Sequence, residues 1–209
     1  MRDRDAGTTT PAATGEKPLS KNDAPQAEAE TEEMRVTPCR EVAGVLMWVA
    51  TMANPDVAYA AHQLVKFNFN PGPVHWWAAK RALQYLWRTK DDGITYGETQ
   101  GLCTKMSAWM DTDFATCSDT QRSASGGSVV LGGGAISWFS RVQKVSAAAS
   151  SESEYVVLAK VVNELIFLRQ VKGFLTPPID DNIVIRGKDK VLPRWRPTVS
   201  AAGVRGMWT

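Results

Sequence analysis

The middle part of the chain has apolar residues at a helical period, recurring every three or four positions. This spacing predicts three short helices within residues 37–97. Their apolar stripes are Val42, Val45, Leu46 and Val49; Val57, Ala60, Ala61, Leu64 and Phe67; and Trp76, Ala79, Leu83, Leu86 and Trp87. Thr37 before Pro38 and Asn54 before Pro55 are typical helix starts. The apolar faces are few, so we expect a small helical unit that packs against a neighbour.

After residue 101 the hydrophobic period changes toward two, which predicts strands over residues 104–111, 124–131, 135–140 and 182–186. The triplet from Gly132 to Gly134 is predicted to be a hairpin turn, because no lysine followed by serine or threonine continues it into a phosphate-binding loop. A long helix from about Glu152 to Phe174 precedes the fourth strand. This order predicts an α/β sheet whose helix crosses over to a fourth strand that runs parallel to the first.

Two carboxylates occupy special positions in the predicted elements. Asp111 is predicted to end the first strand, and Glu154 lies on the apolar stripe of the long helix. The other members of that stripe are Leu158, Val161, Leu165 and Leu168. Glu152 is about 200° away around the helix, and Asn163 also falls opposite the stripe, so both should face water.

A shared metal ion would explain this placement. A buried carboxylate is costly without a compensating charge, and α/β sheets place their sites at strand ends. Mg²⁺ prefers oxygen ligands, and two such ions can activate a water that hydrolyses a phosphodiester. The alternative is that Asp111 forms a turn and Glu154 only interacts with the helix dipole, and the pattern leaves both interpretations open. Asp113 and Asp119 are interpreted as solvated loop residues.

The composition indicates a soluble globular chain, because 44% of its 209 residues are hydrophobic. We expect neither a membrane span, which needs roughly 18 apolar residues, nor a secretory signal. The three cysteines lack metal-ligand spacing and are typical of reduced thiols in an intracellular protein. His62 and His75 are interpreted as ordinary helix residues, and a net charge of +2 does not by itself indicate a nucleic-acid partner. Residues 1–36 hold few large apolar side chains, so we expect a disordered tail.

Five stretches, taken in order, resemble the C-terminal part of Pol polyproteins from copia-type long-terminal-repeat retrotransposons. Two resemble the segment after the reverse transcriptase palm: "REVAGVLMWVATMANPDVAYAAHQL" at residues 40–64 and "HWWAAKRALQYLWRTKDDGITYG" at residues 75–97. Three resemble the ribonuclease H domain: "DTDFATCSDTQRSASGG" at 111–127, "LGGGAISWFSRVQKVSAAASSESEYVVLA" at 131–159 and "NELIFLRQ" at 163–170. The resemblance extends over about residues 37–186.

The resemblance implies a ribonuclease H-like fold over residues 102–190, with a mixed five-stranded sheet and flanking helices. It also implies cleavage of the RNA strand of RNA–DNA hybrids with two Mg²⁺ or Mn²⁺ ions held by carboxylates. By position in the motifs, Asp111 takes the place of the first-strand aspartate. Glu154, in "SESEY", takes the place of the helix glutamate, and Asp113 would be a non-ligating neighbour.

The sequence departs from the family pattern near its C-terminal end. The family's third carboxylate, in a motif resembling "CDNQSA", aligns with Gly187, and Asp189 would substitute for it if the strand end is shifted. Residues 191–209 resemble nothing in the family, and the polymerase palm is absent upstream, so we expect no polymerase activity. We expect a truncated ribonuclease H domain that is weak or inactive. The alternative is a catalytically dead relic that at most binds nucleic acid or a protein.

Basic and aromatic residues are candidates for nucleic-acid contacts. Arg122, Arg141 and Lys144 flank the predicted site and could neutralise phosphates of a hybrid. Further candidates, by charge or by stacking, are Arg81, Arg88, Trp76, Trp77 and Trp138. The ordinary alternative for each is a solvated surface or a core position. The expected partners are an RNA–DNA hybrid and other parts of a Pol polyprotein, with no membrane, in the cytoplasm, the nucleus or virus-like particles.

Overall fold

The computed structural model describes residues 9–12, 18–97, 106–175 and 183–187, and this part of the chain has a mixed α/β fold. The helices are α1 (Glu28–Val36), α2 (Cys39–Met52), α3 (Ala58–Val65), α4 (Pro73–Arg88) and α5 (Ser150–Leu175). The strands are β1 (Ser107–Asp113), β2 (Ala124–Leu131), β3 (Gly134–Val142) and β4 (Val184–Gly187). Two single-turn 3-10 helices cover Lys21–Asp23 and Pro55–Val57.

Contacts divide the chain into two compact units. The first, called the helical unit, comprises the described residues up to Ile94 together with Ala115–Ala124 and Phe139–Ser146. The second, called the sheet unit, comprises the described residues of Thr95–Phe114 and Ser125–Trp138 and those from Ala147 onward. Two segments from the stretch that resembles ribonuclease H thus belong to the helical unit.

Helices α2, α3 and α4 pack around a core of small apolar residues. Its members are Ala43, Leu46, Ala50, Val57, Ala60, Ala61, Leu64, Ala79 and Ala82. The Asn54 side chain accepts a hydrogen bond from the Asp56 amide at 3.0 Å, which confirms the predicted helix start. The helix start predicted at Thr37 and Pro38 lies within two residues of the observed one, because α2 begins at Cys39, but Thr37 does not cap this helix. The Thr37 hydroxyl instead donates to the Glu33 carbonyl at 2.8 Å, at the end of α1.

Ordered structure also occurs within residues 18–36, which corrects the expectation of a disordered tail for that stretch. Ser20 is buried and forms a reciprocal capping box with Asp23. The Ser20 amide donates to the Asp23 carboxylate at 2.8 Å, and the Asn22 amide donates to the Ser20 hydroxyl at 3.0 Å. Helix α1 contains four glutamates, a residue that favours helix, and it buries Met34. Capping and helix propensity therefore order a segment that is poor in apolar residues.

The four strands form one sheet in the order β3-β2-β1-β4. β1 and β4 are parallel, with Ser107 paired to Val184 and Met110 paired to Gly187, which confirms the predicted crossover. Gly132 and Gly133 connect β2 to β3 with φ angles of 63° and 85°, a left-handed conformation that favours glycine in hairpin turns. The glycine triplet is therefore a turn, as predicted.

Helix α5 packs on β1. Its buried residues are Ser153, Glu154, Val157, Val161 and Leu165. Glu152 and Asn163 are exposed, as predicted. Leu158 and Leu168, which were expected on the buried stripe, are only partly buried, because the buried face is centred nearer to Ser153 and Val157.

Cys39 and Cys117 are free thiols. Within the described ranges, no helix has the length and apolar character that crossing a membrane requires.

Candidate functional site

Glu154 lies near the N-terminus of α5 on the side that packs against the sheet. Its side chain is buried, with the residue 7% exposed, and its Oε2 atom has no hydrogen-bond partner among the described residues. A buried carboxylate oxygen without a partner costs free energy. The surroundings of Glu154 therefore favour a cation or another donor beside this oxygen.

The residues next to the two predicted carboxylates connect β1 to α5. The Thr112 hydroxyl donates to the Ser153 hydroxyl at 3.3 Å, and the Ser153 hydroxyl donates to the Ser150 carbonyl at 2.6 Å. Ser153 is buried. The structure thus brings the end of β1 and the start of α5 together through one neighbour of Asp111 and one neighbour of Glu154.

Asp111 has a different environment from Glu154. Its side chain is exposed, and its Oδ1 accepts a hydrogen bond from the Thr112 amide at 2.9 Å. Burial alternates along β1, so that Met110 is buried whereas Trp109 and Asp111 are exposed. The Arg186 guanidinium of β4 lies 4.8 Å from the Trp109 ring on that exposed face. β1 also continues to Asp113. The prediction that Asp111 ends the strand is therefore wrong, because Asp111 lies within it.

The position that aligns with the third carboxylate lies beside β1 and supplies no ligand. Gly187 is the last residue of β4 and pairs with Met110, the residue before Asp111. Neighbouring residues in register point to the same face of a sheet, so a side chain at position 187 would share the buried face of Met110. Asp189 lies outside the described residues.

The donor chemistry suits Mg²⁺ or Mn²⁺ only in part. Carboxylate oxygens are the ligands that such hard ions prefer, and the unpartnered Oε2 of Glu154 fits this requirement. The described residues contain no group of three or more histidine, cysteine, aspartate or glutamate side chains placed to hold a metal ion. Asp111 and Glu154 would thus need water or a third ligand to complete a coordination shell.

The predicted nucleic-acid residues belong to the other unit. Arg122, Arg141 and Lys144 are exposed residues of the helical unit, so their role is argued from charge alone.

Asp119, which was interpreted as a solvated loop residue, has a structural role that the sequence did not indicate. Both of its carboxylate oxygens accept from the Lys21 amide at 3.2 Å.

Both histidines accept hydrogen bonds in the helical unit, where His75 is buried and His62 is half-buried. His75 is 1% exposed, and its Nδ1 accepts from the Gly72 amide at 2.9 Å, while its ring lies 4.4 Å from that of Phe67. Burial lowers the pKa of His75. The carboxylates of Asp23 and Asp119 and the Ser20 backbone act in the opposite direction, but burial has the larger effect. The interpretation of His75 as an ordinary helix residue agrees with this environment.

Sequence reasoning missed four polar side chains that join α5 to the sheet. The Ser137 hydroxyl of β3 donates to the Glu164 carboxylate at 2.6 Å, and Thr112 and Ser153 form the link described above. A signal was the small polar residue next to each predicted ligand, Thr112 after Asp111 and Ser153 before Glu154, since serine and threonine at buried positions need a partner. Nothing in the spacing pointed to Ser137 and Glu164.

Comparisons with known proteins place the chain among transposon polyproteins. The "Retrovirus-related Pol polyprotein from transposon TNT 1-94" of Nicotiana tabacum is 33% identical over 162 residues, which are 78% of this chain and 12% of that protein. The corresponding polyprotein from transposon RE2 of Arabidopsis thaliana is 36% identical over 129 residues, or 62% of this chain and 9% of that protein. The "Secreted RxLR effector protein 161" of Plasmopara viticola is 34% identical over 144 residues, or 67% of this chain and 100% of that protein. No protein-family model and no solved structure matches the chain.

These similarities define a retroelement-derived chain. It belongs to the family of copia-type retrovirus-related Pol polyproteins of transposons, as the ordered motifs indicated. The chain spans only 12% of the TNT 1-94 polyprotein and 9% of the RE2 polyprotein. The matched segment nevertheless corresponds to the whole of effector protein 161.

Proposed function

We propose that the sheet unit is a ribonuclease H-type domain that hydrolyses the RNA strand of RNA–DNA hybrids at a low rate, with Asp111 and Glu154 as ligands of Mg²⁺ or Mn²⁺. The observation that carries the proposal is the buried, unpartnered Oε2 of Glu154, on the helix that packs on β1. Membership in a family of transposon Pol polyproteins supports the same reaction class. Other segments of a Pol polyprotein are further proposed partners.

Each residue near the candidate site would have a separate role in hydrolysis. Thr112 and Ser153 hold the N-terminal part of α5 against β1. This contact fixes the position of Glu154 along the strand. Asp111 would contribute the second carboxylate from the neighbouring strand. The divalent ions, when bound, supply an activated water and stabilise the leaving oxygen of the phosphodiester. Arg122, Arg141 and Lys144 are exposed cations of the helical unit and would attract the phosphates of a nucleic acid.

Two observations support a low rate. Gly187 stands at the position of the third carboxylate, and a two-ion site needs several anionic ligands to hold both ions. In addition, Asp111 lies on the exposed face of β1 with Trp109, whereas Glu154 is buried. Bringing both carboxylates to one ion would require the Asp111 side chain to move. The same observations favour a second candidate function, a relic that binds a hybrid without cutting it.

Cleavage of an end-labelled RNA–DNA hybrid by the full chain in Mg²⁺ or Mn²⁺ tests the proposal. We expect slow cleavage of the RNA strand that Asp111→Asn or Glu154→Gln lowers by roughly a hundredfold or more. Glu152→Gln is the matched control, because Glu152 is on the same helix turn but exposed. Equal loss in all three variants would point to misfolding. If the wild-type chain binds the hybrid but does not cleave it, hydrolysis is rejected and the second candidate function, hybrid binding by a relic, is supported.

A second measurement reads the ions without catalysis. A ligand that binds only the folded state raises the free energy of unfolding, by about 1.4 kcal/mol at roughly ten times its dissociation constant. Mn²⁺ should therefore raise the melting temperature of the wild-type chain and of Glu152→Gln but not that of Glu154→Gln. An equal rise in Glu154→Gln would remove Glu154 from the ion site.

A further inference from the structure

Helix α4 carries a face of aromatic and basic side chains that points away from its core contacts. The residues that α4 buries include Ala79 and Ala82. At about 100° per residue, the side opposite them is occupied by Trp77, Lys80, Arg81, Gln84 and Arg88, which we call the α4 outer face. Trp77 is 64% exposed. Tryptophan combines a large apolar ring with a polar N–H group and is enriched at binding interfaces.

The charge on this helix has one sign. Lys80, Arg81 and Arg88 are its basic residues, and Pro73–Arg88 contains no aspartate or glutamate. His75 is buried on the opposite side and carries no charge in its neutral form. The first acidic residues after the helix are Asp91 and Asp92, and Asp91 pairs with Lys90 at 2.9 Å. The α4 outer face is therefore complementary to a polyanion.

The side chains are also arranged together and held. The Lys80 ammonium lies 3.6 Å from the centre of the Trp77 ring and 5.4 Å from that of Trp76. Arg81 donates two hydrogen bonds of 3.2 Å to the carbonyl and the hydroxyl of Thr10. Lys80 thus places a cation against the exposed indole, while Thr10 holds the guanidinium of Arg81 on the same side of the helix. Together they pair a stacking surface with groups that can contact phosphates.

We infer that the α4 outer face is a docking surface for single-stranded nucleic acid, with Trp77 stacking on an unpaired base and Lys80 and Arg88 contacting phosphates. A single strand fits better than a duplex, because an indole can stack only on a base face that is not already covered by its neighbours. This surface goes beyond the proposed hydrolysis of a hybrid. It would bind a strand whether or not the sheet unit cleaves RNA.

A second exposed tryptophan of the helical unit provides a matched control. Trp48 on α2 is 65% exposed, nearly the same as Trp77. Its neighbours on that helix face are Val45 and Met52, and the charged residue seven positions before it is Glu41. Trp48 therefore offers an equal aromatic surface without the adjacent cations. A general stickiness of exposed indoles would affect both positions alike.

The test is fluorescence anisotropy of a labelled oligothymidylate of about 12 nucleotides with the full chain, in buffer without divalent ions. We expect Trp77→Ala to weaken binding roughly tenfold and Trp48→Ala to leave it unchanged. Trp77→Phe, which keeps an aromatic ring, should recover most of the affinity. Arg88→Gln should weaken binding several-fold and reduce the slope of log affinity against log salt by about one. Equal affinities for Trp77→Ala and the wild-type chain, or no binding by the wild-type chain at low salt, would overturn the inference.

Competition separates stacking from backbone attraction. An unlabelled single strand should displace the probe at a much lower concentration than a blunt RNA–DNA hybrid of the same length. Equal competition by the hybrid would overturn the assignment to single strands. Glu154→Gln should bind the probe like the wild-type chain. Loss of cleavage and loss of strand binding are therefore observed independently.

Discussion

The hydroxyl of Thr112 on β1 and the hydroxyl of Ser153 on α5 lie 3.3 Å apart and form the hydrogen bond that joins these two elements beside both predicted ligands. Ser153 is buried, and its hydroxyl donates a hydrogen bond to the Ser150 carbonyl at 2.6 Å. The link is therefore a short chain of hydrogen bonds from the strand to the first turn of the helix. Its partners are uncharged, so it should hold Glu154 in place independently of salt.

Ser153→Ala should destabilise the sheet unit by about 1 kcal/mol, because the partly buried Thr112 hydroxyl loses its acceptor. Thr112→Val should cost a similar amount. In a double-mutant cycle followed by urea unfolding, the coupling between the two sites should be roughly 0.5–1.5 kcal/mol. Additive effects would show that the two hydroxyls contribute separately, and Ser151→Ala, at an exposed position of the same turn, should change little.

Gly187→Asp should raise hybrid cleavage by about tenfold or more, since it returns a third carboxylate to the end of β4. The pairing of Gly187 with Met110 directs a new side chain toward the face on which Glu154 is buried. The positive φ angles of the described glycines are at Gly97, Gly132 and Gly133, so position 187 accepts a side chain without backbone strain. The measurement is the initial rate on a labelled hybrid in Mg²⁺.

Gly187→Asn is the control for this substitution, because it has the same shape and no charge. A rate increase in the asparagine variant equal to that in the aspartate variant would mean that the side chain acts through β4 itself. An unchanged rate in the aspartate variant would favour the relic without hydrolysis.

Acid should destabilise the helical unit through its histidines. The His62 Nε2 accepts from the Val142 amide at 3.3 Å, and burial, aided by the charges of Lys66 and Arg141, lowers the pKa of His62. Burial also lowers the pKa of His75 below its ordinary value of 6.5. The unfolded chain therefore binds protons more readily than the folded chain as the pH falls below the ordinary value. The free energy of unfolding is fully retained above that value and declines as the pH falls toward the lower folded pKa.

Urea unfolding at a series of pH values between about 7.5 and 5.5 measures this dependence. The decline should be shallower in His75→Gln and in His62→Gln than in the wild-type chain, although both variants start from a lower stability. A parallel decline in all three proteins would assign the acid sensitivity to groups other than these two histidines.

Gly72→Ala should destabilise the helical unit by about 1–3 kcal/mol, the cost of overpacking. A Cβ atom at position 72 would overlap the carbonyl oxygen of Asp23, whereas the φ angle of −101° suits any residue. The loss would thus come from steric overlap with the segment at residues 20–24. Limited proteolysis should show earlier cleavage of that segment in the variant.

Gly44→Ala is the opposite case. Nothing lies within 4 Å of a Cβ at position 44, and Gly44 is inside α2. Alanine there should stabilise the unit by about 0.5–1 kcal/mol through helix propensity. Equal changes at positions 44 and 72 would contradict the steric explanation.

The sequence predicted those features that depend on periodicity and on turn chemistry. Gly132 and Gly133 adopt the left-handed angles that their triplet indicated, and the β1–β4 pairing follows from the order of elements. Asp111 was placed at the end of its strand because the apolar alternation stops there. The strand continues to Asp113, since main-chain pairing does not require apolar side chains.

Features that depend on contacts between distant residues were beyond prediction. The segment at residues 20–24 is ordered by local capping and by the approach of Asp119 to Lys21, 98 positions away. The prediction of disorder was based only on the small number of large apolar side chains in this segment, and that number does not include capping or distant hydrogen bonds. For the candidate site, periodicity found the buried position of Glu154. Periodicity did not find Thr112 and Ser153, because the spacing of apolar residues carries no information about a hydrogen bond between two hydroxyl groups.

The parallel pairing of β1 with β4 has a consequence for how the chain acquires its structure. Ser107 and Val184 are partners although they are 77 positions apart, so the ribosome must release nearly all of the intervening helix before the two strands can meet. Contacts of such large sequence separation slow folding, because the loop between them must be closed first. During synthesis the hairpin of β2 and β3 can form early, while the partner of β1 on its other side arrives last. A nascent chain paused before residue 184 would therefore expose one edge of its central strand to chaperones.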